Sequence, residues 1–223
     1  MPLKSLSLQR YVGALLLLLF AMTISPSLLK AETTIVFLGD SLTAGYGVDS
    51  REAFPSLLAP LLSARGYNDV KLINAGISGS TTASALSRLK WYQRVKPDIL
   101  FLALGANDGL RGLSTTAMAT HLEETIKLAI SSGMTIILAG MEIPPNYGSD
   151  YTQRFRKVFP VLAEKYPIVF MPFLLKDVAG LSKYNQVDGI HPNKKGHAIV
   201  AANVIPYVVT ALNLIDAPPK NQN

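Results

Sequence analysis

The sequence predicts an α/β fold with three layers, α/β/α, in which helices cover both faces of a five-stranded parallel sheet. One observation is that short apolar runs alternate along the chain with longer segments whose apolar residues recur at helical spacing. A second is that the short runs are apolar almost without interruption, as expected for strands covered on both faces. The length of 223 residues suits a single domain.

Each predicted strand is a short β-branched or apolar run with a turn-forming residue beside it. Gly39 ends the first run, and Pro97 precedes the third. The five predicted strands are Thr34–Leu38, Val70–Ile73, Asp98–Leu104, Thr135–Ala139 and Ile168–Met171.

Each predicted helix has apolar residues on one face and a stop or cap beside it. Gly66 ends the first helix, and Gly133 ends the one that Ser114 caps. Pro160 is awkward inside the fourth helix, and Pro206 is expected to kink the last one. The predicted helices are Phe54–Arg65, Ser84–Val95, a helix from Ser114 to about Ser132, Tyr151–Tyr166 and Pro192–Leu212.

Residues 1–31 have the composition of an export signal. Lys4 and Arg10 make a positive start, and Tyr11–Met22 is an apolar stretch shorter than the ~20 residues that a bilayer span needs. We expect cleavage near Ala31, which leaves residues 32–223 as one exported domain, periplasmic or secreted, with no stable membrane span. The alternative is an uncleaved membrane anchor.

Charge and cysteine content argue against several classes of function. The formal net charge of +6 falls to +3 without residues 1–31, and no long basic block remains. Nucleic-acid binding is therefore not predicted. The chain contains no cysteine, so disulfides, a thiolate nucleophile and cysteine metal ligands are excluded.

Four residues with possible chemical roles follow the first four predicted strands in turn: Ser41, Gly79, Asn107 and Tyr147. The carboxyl ends of parallel strands share one edge of a sheet, and ligands bind at that edge. The sequence therefore places these residues where a functional site is expected.

Ser41, His191 and Asp188 offer, in that order, a nucleophile, a base and an acid that orients the base, as acyl transfer through a covalent intermediate requires. Asp188 precedes His191 by three residues in a glycine-containing turn, which lets its carboxylate reach one ring nitrogen. The alternative for Ser41 is a helix N-cap. His121 and His197 are interpreted as structural.

Asn107 and Gly79 are candidates for stabilising an oxyanion. The Asn107 amide could donate a hydrogen bond, and Gly79 could offer a backbone N–H where a side chain would block approach. The alternatives are a turn-forming asparagine and a plain turn glycine. Asp-x-x-His is a possible metal half-site, but no second ligand cluster accompanies it, so no metal and no cofactor are predicted.

Four sequence blocks together resemble the SGNH hydrolases, also called the GDSL esterase/lipase family, from about residue 33 to residue 212. The blocks are Gly39-Asp40-Ser41-Leu42, Gly79, Gly105-x-Asn107-Asp108 and Asp188-x-x-His191-Pro192. Further similarity, in Asn107 to Gly112 and Pro145 to Gly148, is to the bacterial periplasmic thioesterase I/protease I/lysophospholipase branch and the related arylesterases.

The resemblance implies a flavodoxin-like SGNH hydrolase domain over residues 32–223. It implies that Ser41 is the nucleophile, His191 the base and Asp188 its partner. It implies an oxyanion hole made by the Ser41 and Gly79 N–H groups and the Asn107 amide. Gly76 departs from the thioesterase branch, so that branch's substrate preference is not carried over.

The expected activity is hydrolysis of carboxylic esters or thioesters with an acyl or aryl group, of the arylesterase, acyl-CoA thioesterase or lysophospholipase type. The residues expected to contact the substrate are Asp40, Leu42, Leu110 and Tyr147, with an apolar groove formed by residues 109–113 and 143–147. A carbohydrate acetyl esterase of the same family and a non-catalytic envelope binding module remain alternatives. No Gly-x-Ser-x-Gly elbow and no phosphate-binding glycine loop occurs.

Overall fold

The computed structural model of the chain describes residues 32–216, so the predicted export signal lies outside the described residues. Five parallel strands form one sheet in the order β2-β1-β3-β4-β5, which confirms the predicted fold class. The strands are β1 (Thr33–Gly39), β2 (Val70–Gly76), β3 (Ile99–Ala103), β4 (Thr135–Ala139) and β5 (Val169–Met171).

Helices occupy the connections between the strands. Helix α2 packs against α7, whereas α3 and α6 both pack against α5. Two short helices, α1 and α4, directly follow β1 and β3. The helices are α1 (Ser41–Ala44), α2 (Phe54–Ser63), α3 (Ala85–Tyr92), α4 (Ala106–Leu110), α5 (Thr115–Ser131), α6 (Ser149–Lys165) and α7 (Lys194–Asp216).

The strand order reverses between β1 and β3, because the chain leaves β1 for β2 on one side and returns to β3 on the other. A ligand crevice is expected beyond the carboxyl ends of two strands at such a switch point. Every residue of β1 and β3 is buried, so the site that follows them stands on a rigid core.

Strand β2 is longer than the predicted Val70–Ile73, because Asn74, Ala75 and Gly76 continue its pairing with β1. The Asn74 amide donates to the carbonyl of Thr43 in α1 at 2.9 Å. A Cβ at Gly76 would lie 2.2 Å from the backbone nitrogen of Ala44. Glycine at position 76 therefore lets α1 pack directly on the end of β2.

Helix α7 continues through Pro206, where the sequence predicts a kink. The helix runs without a break from Lys194 to Asp216, and Pro206 lies on its exposed side. Among the described residues, only α7 has the length and mean hydropathy of a membrane-crossing helix. Val200, Val204 and Val208 are buried, and α7 packs on α2, β4 and β5, so it is a core helix of this fold.

Candidate active site

Ser41 is the first residue of α1 and follows the end of β1. Asp40 caps the helix, because its Oδ1 accepts the N–H of Leu42 at 3.0 Å. A Cβ at Gly39 would lie 2.0 Å from Thr43 Oγ1, so only glycine permits so sharp a turn from strand to helix. Among the described residues, none accepts the Ser41 N–H, which leaves this donor at the helix N-terminus free for an anion.

Asp188 and His191 lie on a narrow loop after β5 that is closed at its base. Asn185 and Pro192 form an antiparallel bridge, and the Gln186 N–H donates to the His191 carbonyl at 2.8 Å. Asp188 Oδ1 accepts the backbone N–H groups of Ile190 and His191, each at 3.0 Å. The backbone of this loop therefore fixes the carboxylate of Asp188.

The structure brings Ser41, His191 and Asp188 together in a chain of hydrogen bonds. Asp188 Oδ2 lies 2.8 Å from His191 Nδ1, and His191 Nε2 lies 2.9 Å from Ser41 Oγ. Since an ionised carboxylate only accepts, Nδ1 carries the proton of the neutral imidazole and Nε2 accepts from the hydroxyl. This arrangement can take a proton from Ser41 as its oxygen attacks an electrophile.

Electrostatics keep the Asp188 carboxylate charged. The hydrogen bond from the His191 backbone N–H is the main cause that lowers the pKa of Asp188 from 3.8 to about 2. Asp188 is therefore ionised at neutral pH. The ring of Tyr46 packs on the His191 ring with 4.7 Å between centroids.

Asn107 and Gly79 lie on the two segments that flank Ser41. Asn107, in α4, donates its amide to the Ser80 carbonyl at 3.1 Å and to Asp40 Oδ2 at 3.4 Å. The second contact is long, so an incoming oxyanion can compete for that hydrogen. Gly79 has φ +76°, which favours glycine, and no described residue accepts its N–H.

Asp108, which has no predicted role of its own, anchors the segment carrying Gly79. Its two carboxylate oxygens accept the Thr82 N–H at 2.9 Å and the Thr82 hydroxyl at 2.6 Å. Arg111 donates to the Gly79 carbonyl at 2.9 Å. Helix α4 therefore holds the loop after β2 beside the start of α1.

A cavity of about 510 Å³ opens beside Ser41 and His191. Segments that follow β1, β3, β4 and β5 line it, together with the loop that carries His191. Apolar side chains make up most of its wall, including Leu42, Leu110, Met141, Ile143, Phe173 and Ile190. Its volume and lining suit an apolar ligand group with a few polar anchors at one end.

The structure does not bring two of the expected contact residues to this cavity. Asp40 is 1% exposed, and its oxygens are engaged by Leu42 and Asn107. Burial, which removes water from the carboxylate, raises the pKa of Asp40 from 3.8 to about 6. Tyr147 donates its hydroxyl to the Leu110 carbonyl at 2.9 Å instead of facing the cavity. Leu42 and Leu110 do line it.

Some residues of the cavity wall were not predicted from the sequence. Phe173 and Ile190 lie beyond the two segments in which apolar contacts were expected, and Leu113 of those segments is exposed outside the wall. The rule that sites follow parallel strands also applies to β5, and it would have pointed to Phe173.

The chain is similar in sequence to a known family and to proteins with known names. The model of the GDSL-like lipase/acylhydrolase family matches residues 37–199. An arylesterase of Vibrio mimicus is 36% identical over 184 residues, which cover 82% of this chain and 92% of that protein. Thioesterase 1/protease 1/lysophospholipase L1 of Escherichia coli is 31% identical over 172 residues, covering 77% and 81% of the two chains.

A solved structure shares the fold. The psychrotrophic esterase EstA of Pseudoalteromonas sp., inhibited by monoethylphosphonate, matches with a TM-score of 0.76 and 36% identity. The match covers 81% of this chain and 99% of that one.

Proposed function

The chain belongs to the GDSL-like lipase/acylhydrolase family, and from that membership we propose that it is a serine esterase that hydrolyses carboxylic esters and thioesters through an acyl-enzyme on Ser41. The observation that carries the proposal is the hydrogen-bonded chain from Asp188 through His191 to Ser41 Oγ, with 2.8 and 2.9 Å between its members. Two relatives of this chain are named as an arylesterase and as a thioesterase 1/protease 1/lysophospholipase L1, which supports the proposal.

The proposed mechanism uses the side chains and backbone N–H groups of the site, with water as the second nucleophile. His191 Nε2 takes the Ser41 proton as Oγ attacks the acyl carbonyl, and Asp188 stabilises the imidazolium that forms. The N–H groups of Ser41 and Gly79 and the Asn107 amide stabilise the tetrahedral oxyanion. The imidazolium then protonates the leaving alkoxide or thiolate. Water, deprotonated by His191, attacks the acyl-enzyme in the same way and releases the acid.

Asn107→Ala tests the proposed oxyanion hole. Removing one oxyanion donor is expected to lower kcat by about 10²- to 10³-fold with little change in KM, because the donor acts on charge that develops only in the transition state. Steady-state kinetics on one ester would measure this. Asn68→Ala is a matched control, since Asn68 accepts a hydrogen bond from Ser63 on the exposed surface. A kcat within about twofold of the unmodified protein would contradict the role of Asn107.

The apolar cavity supports an acyl or aryl substrate group. Each methylene that moves from water into the cavity contributes about 0.8 kcal/mol, so kcat/KM is expected to rise about fourfold per added methylene until the cavity is filled. A series of p-nitrophenyl esters from acetate upward, with the matching acyl thioesters in parallel, would measure the profile and test the proposed function.

Two leucines give this experiment a matched control. Leu110 lines the cavity, whereas Leu113 is 43% exposed outside it. Leu110→Ala is expected to flatten the chain-length profile, and Leu113→Ala is expected to leave it unchanged. A flat profile in the unmodified protein would contradict the acyl site, and a sharp preference for acetate would instead favour the carbohydrate acetyl esterase.

Activity is expected to rise from acid to neutral pH, because only a neutral imidazole can accept the proton of Ser41. Asp188, with a pKa of about 2, stays ionised throughout this range. Asp40 has a pKa of about 6, so it also changes charge in this range. Its effect on the pH profile must therefore be distinguished from that of His191. The pH profile of kcat/KM should therefore keep its acid limb in Asp40→Asn. Loss of that limb in the variant would assign it to Asp40.

Export with cleavage near Ala31 is part of the same proposal, since residues 1–31 have the composition of an export signal.

A further inference from the structure

The loop that carries the base is connected to the turn that carries the nucleophile through the side chain of Gln186. Gln186 Nε2 donates to the Tyr46 carbonyl at 2.6 Å and to the Pro192 carbonyl at 3.0 Å. The Tyr46 N–H in turn donates to the Ser41 carbonyl at 3.0 Å. One amide group therefore lies between two segments that are 140 residues apart in the sequence.

The chemistry of these contacts fixes the orientation of the amide. Both groups facing it are carbonyl oxygens, which only accept, so the NH₂ end of Gln186 must point toward them. Its oxygen points to Gly47, where an added Cβ would lie 2.1 Å from Oε1. Gly47 also has φ +77°, so glycine at this position both permits the turn and leaves space for Gln186.

The other contacts of His191 fix the imidazole within its own loop. Asp188 orients the ring through Nδ1, and the Gln186 backbone N–H holds the His191 carbonyl at 2.8 Å. Neither contact sets the distance from His191 to Ser41. The loop itself is exposed from residue 187 to residue 190, and Val187 has no packing against the protein. Tyr46 packs on the imidazole, but a ring contact is less directional than a hydrogen bond.

We propose that Gln186 is a positioning residue. It sets the distance between His191 Nε2 and Ser41 Oγ by tying the loop that carries His191 to the Tyr46 carbonyl. This inference rests on the proposed function, since it assigns a role within the esterase reaction. Proton transfer in the attack depends on this distance, and a misplacement of about 1 Å costs about 10²-fold in rate. Gln186 does not itself line the cavity, so its loss removes no side chain that contacts the substrate.

Two substitutions test the inference. Gln186→Glu keeps the shape of the side chain but places a carboxylate against two carbonyl oxygens, and Gln186→Ala removes the tie without adding charge. In both variants kcat on a p-nitrophenyl ester is expected to fall about 10- to 100-fold, with KM within about twofold. The rate at which a fluorophosphonate labels Ser41 is expected to fall in parallel.

Gln93→Glu is the matched control. The Gln93 amide also joins two segments, donating to Ser132 Oγ at 2.8 Å between the ends of α3 and α5, outside the site. This variant is expected to keep the kcat of the unmodified protein. If Gln186→Glu fails to fold, Gln186→Ala still decides the question, because it leaves no carboxylate facing carbonyl oxygens.

The possible results separate this inference from the proposed function. An active unmodified protein whose kcat survives in Gln186→Ala overturns the role of Gln186 and leaves the esterase proposal standing. A rise in KM at constant kcat also overturns it, because Gln186 would then shape substrate binding. An unmodified protein that neither hydrolyses esters nor reacts with the fluorophosphonate overturns the proposed function itself.

Discussion

Ser41→Ala is expected to lower kcat by about 10⁶-fold and to leave the unfolding temperature within about 2 °C of that of the unmodified protein. The kinetic effect is large because the Ser41 hydroxyl is hydrogen-bonded to His191 Nε2. No other serine, threonine or tyrosine among the described residues lines the cavity and could replace it. The thermal effect is small because the Ser41 side chain is partly exposed and its hydroxyl bonds only to His191 in the described part of the chain.

Steady-state turnover, fluorophosphonate labelling and thermal unfolding would together measure this prediction. Ser87→Ala is a matched control, because the hydroxyl of Ser87 in α3 makes a single exposed hydrogen bond to the carbonyl of Ser84, just before that helix. An unmodified protein that resists the probe would favour the non-catalytic binding module. A turnover rate in Ser41→Ala close to that of the unmodified protein would refute the assignment of the nucleophile.

The central part of the sheet follows from local sequence patterns. Strands β1, β3 and β4 are fully or almost fully buried, so their apolar runs are nearly continuous and their positions could be predicted within a few residues. Strand β2 pairs with β1 alone at the edge of the sheet, and its half-buried residues end in Asn-Ala-Gly. That ending is typical of a turn, so the sequence pattern stopped the predicted strand too early.

In the site, too, contacts between residues close in the sequence could be predicted, whereas contacts between distant residues could not. Asp188 and His191 are three residues apart, and one turn brings their side chains together, so a short motif carries that pairing. Arg88 could not be predicted in the same way. It donates from α3 to the Gly39 carbonyl at 2.9 Å and also to the Ala75 carbonyl, which couples the ends of β1 and β2. These contacts depend on how α3 packs against the sheet, and no spacing in the sequence records it.

Tyr147 shows that the position of a residue after a strand does not determine where its side chain points. It follows β4 at the expected edge of the sheet, but its hydroxyl donates to the Leu110 carbonyl. The rule that ligands bind beyond the carboxyl ends of strands locates segments, whereas the direction of each side chain depends on packing within the loop. Ile143, on the same segment, does reach the cavity.

Asp188→Asn is expected to lower kcat by about 10⁴-fold with a small effect on KM and folding. Oδ1 of the new amide can still accept the N–H groups of Ile190 and His191, which would preserve the loop. Its NH₂ group would then face His191 Nδ1 as a donor, so Nδ1 must become the acceptor. Nε2 would carry the proton and could no longer take one from Ser41. The opposite amide orientation would place NH₂ against two backbone N–H donors, which is worse.

The prediction can be checked by comparing kcat, KM and the unfolding temperature of Asp188→Asn with those of Asp150→Asn. Asp150 is an exposed carboxylate paired with Arg154 on α6, so the same chemical change there should leave turnover intact. A tenfold loss or less in Asp188→Asn would mean that the carboxylate does not set the tautomer of His191. A large loss with an unchanged unfolding temperature would support the proposed role, because the loop would then keep its fold through Oδ1 while the contact with His191 Nδ1 changes.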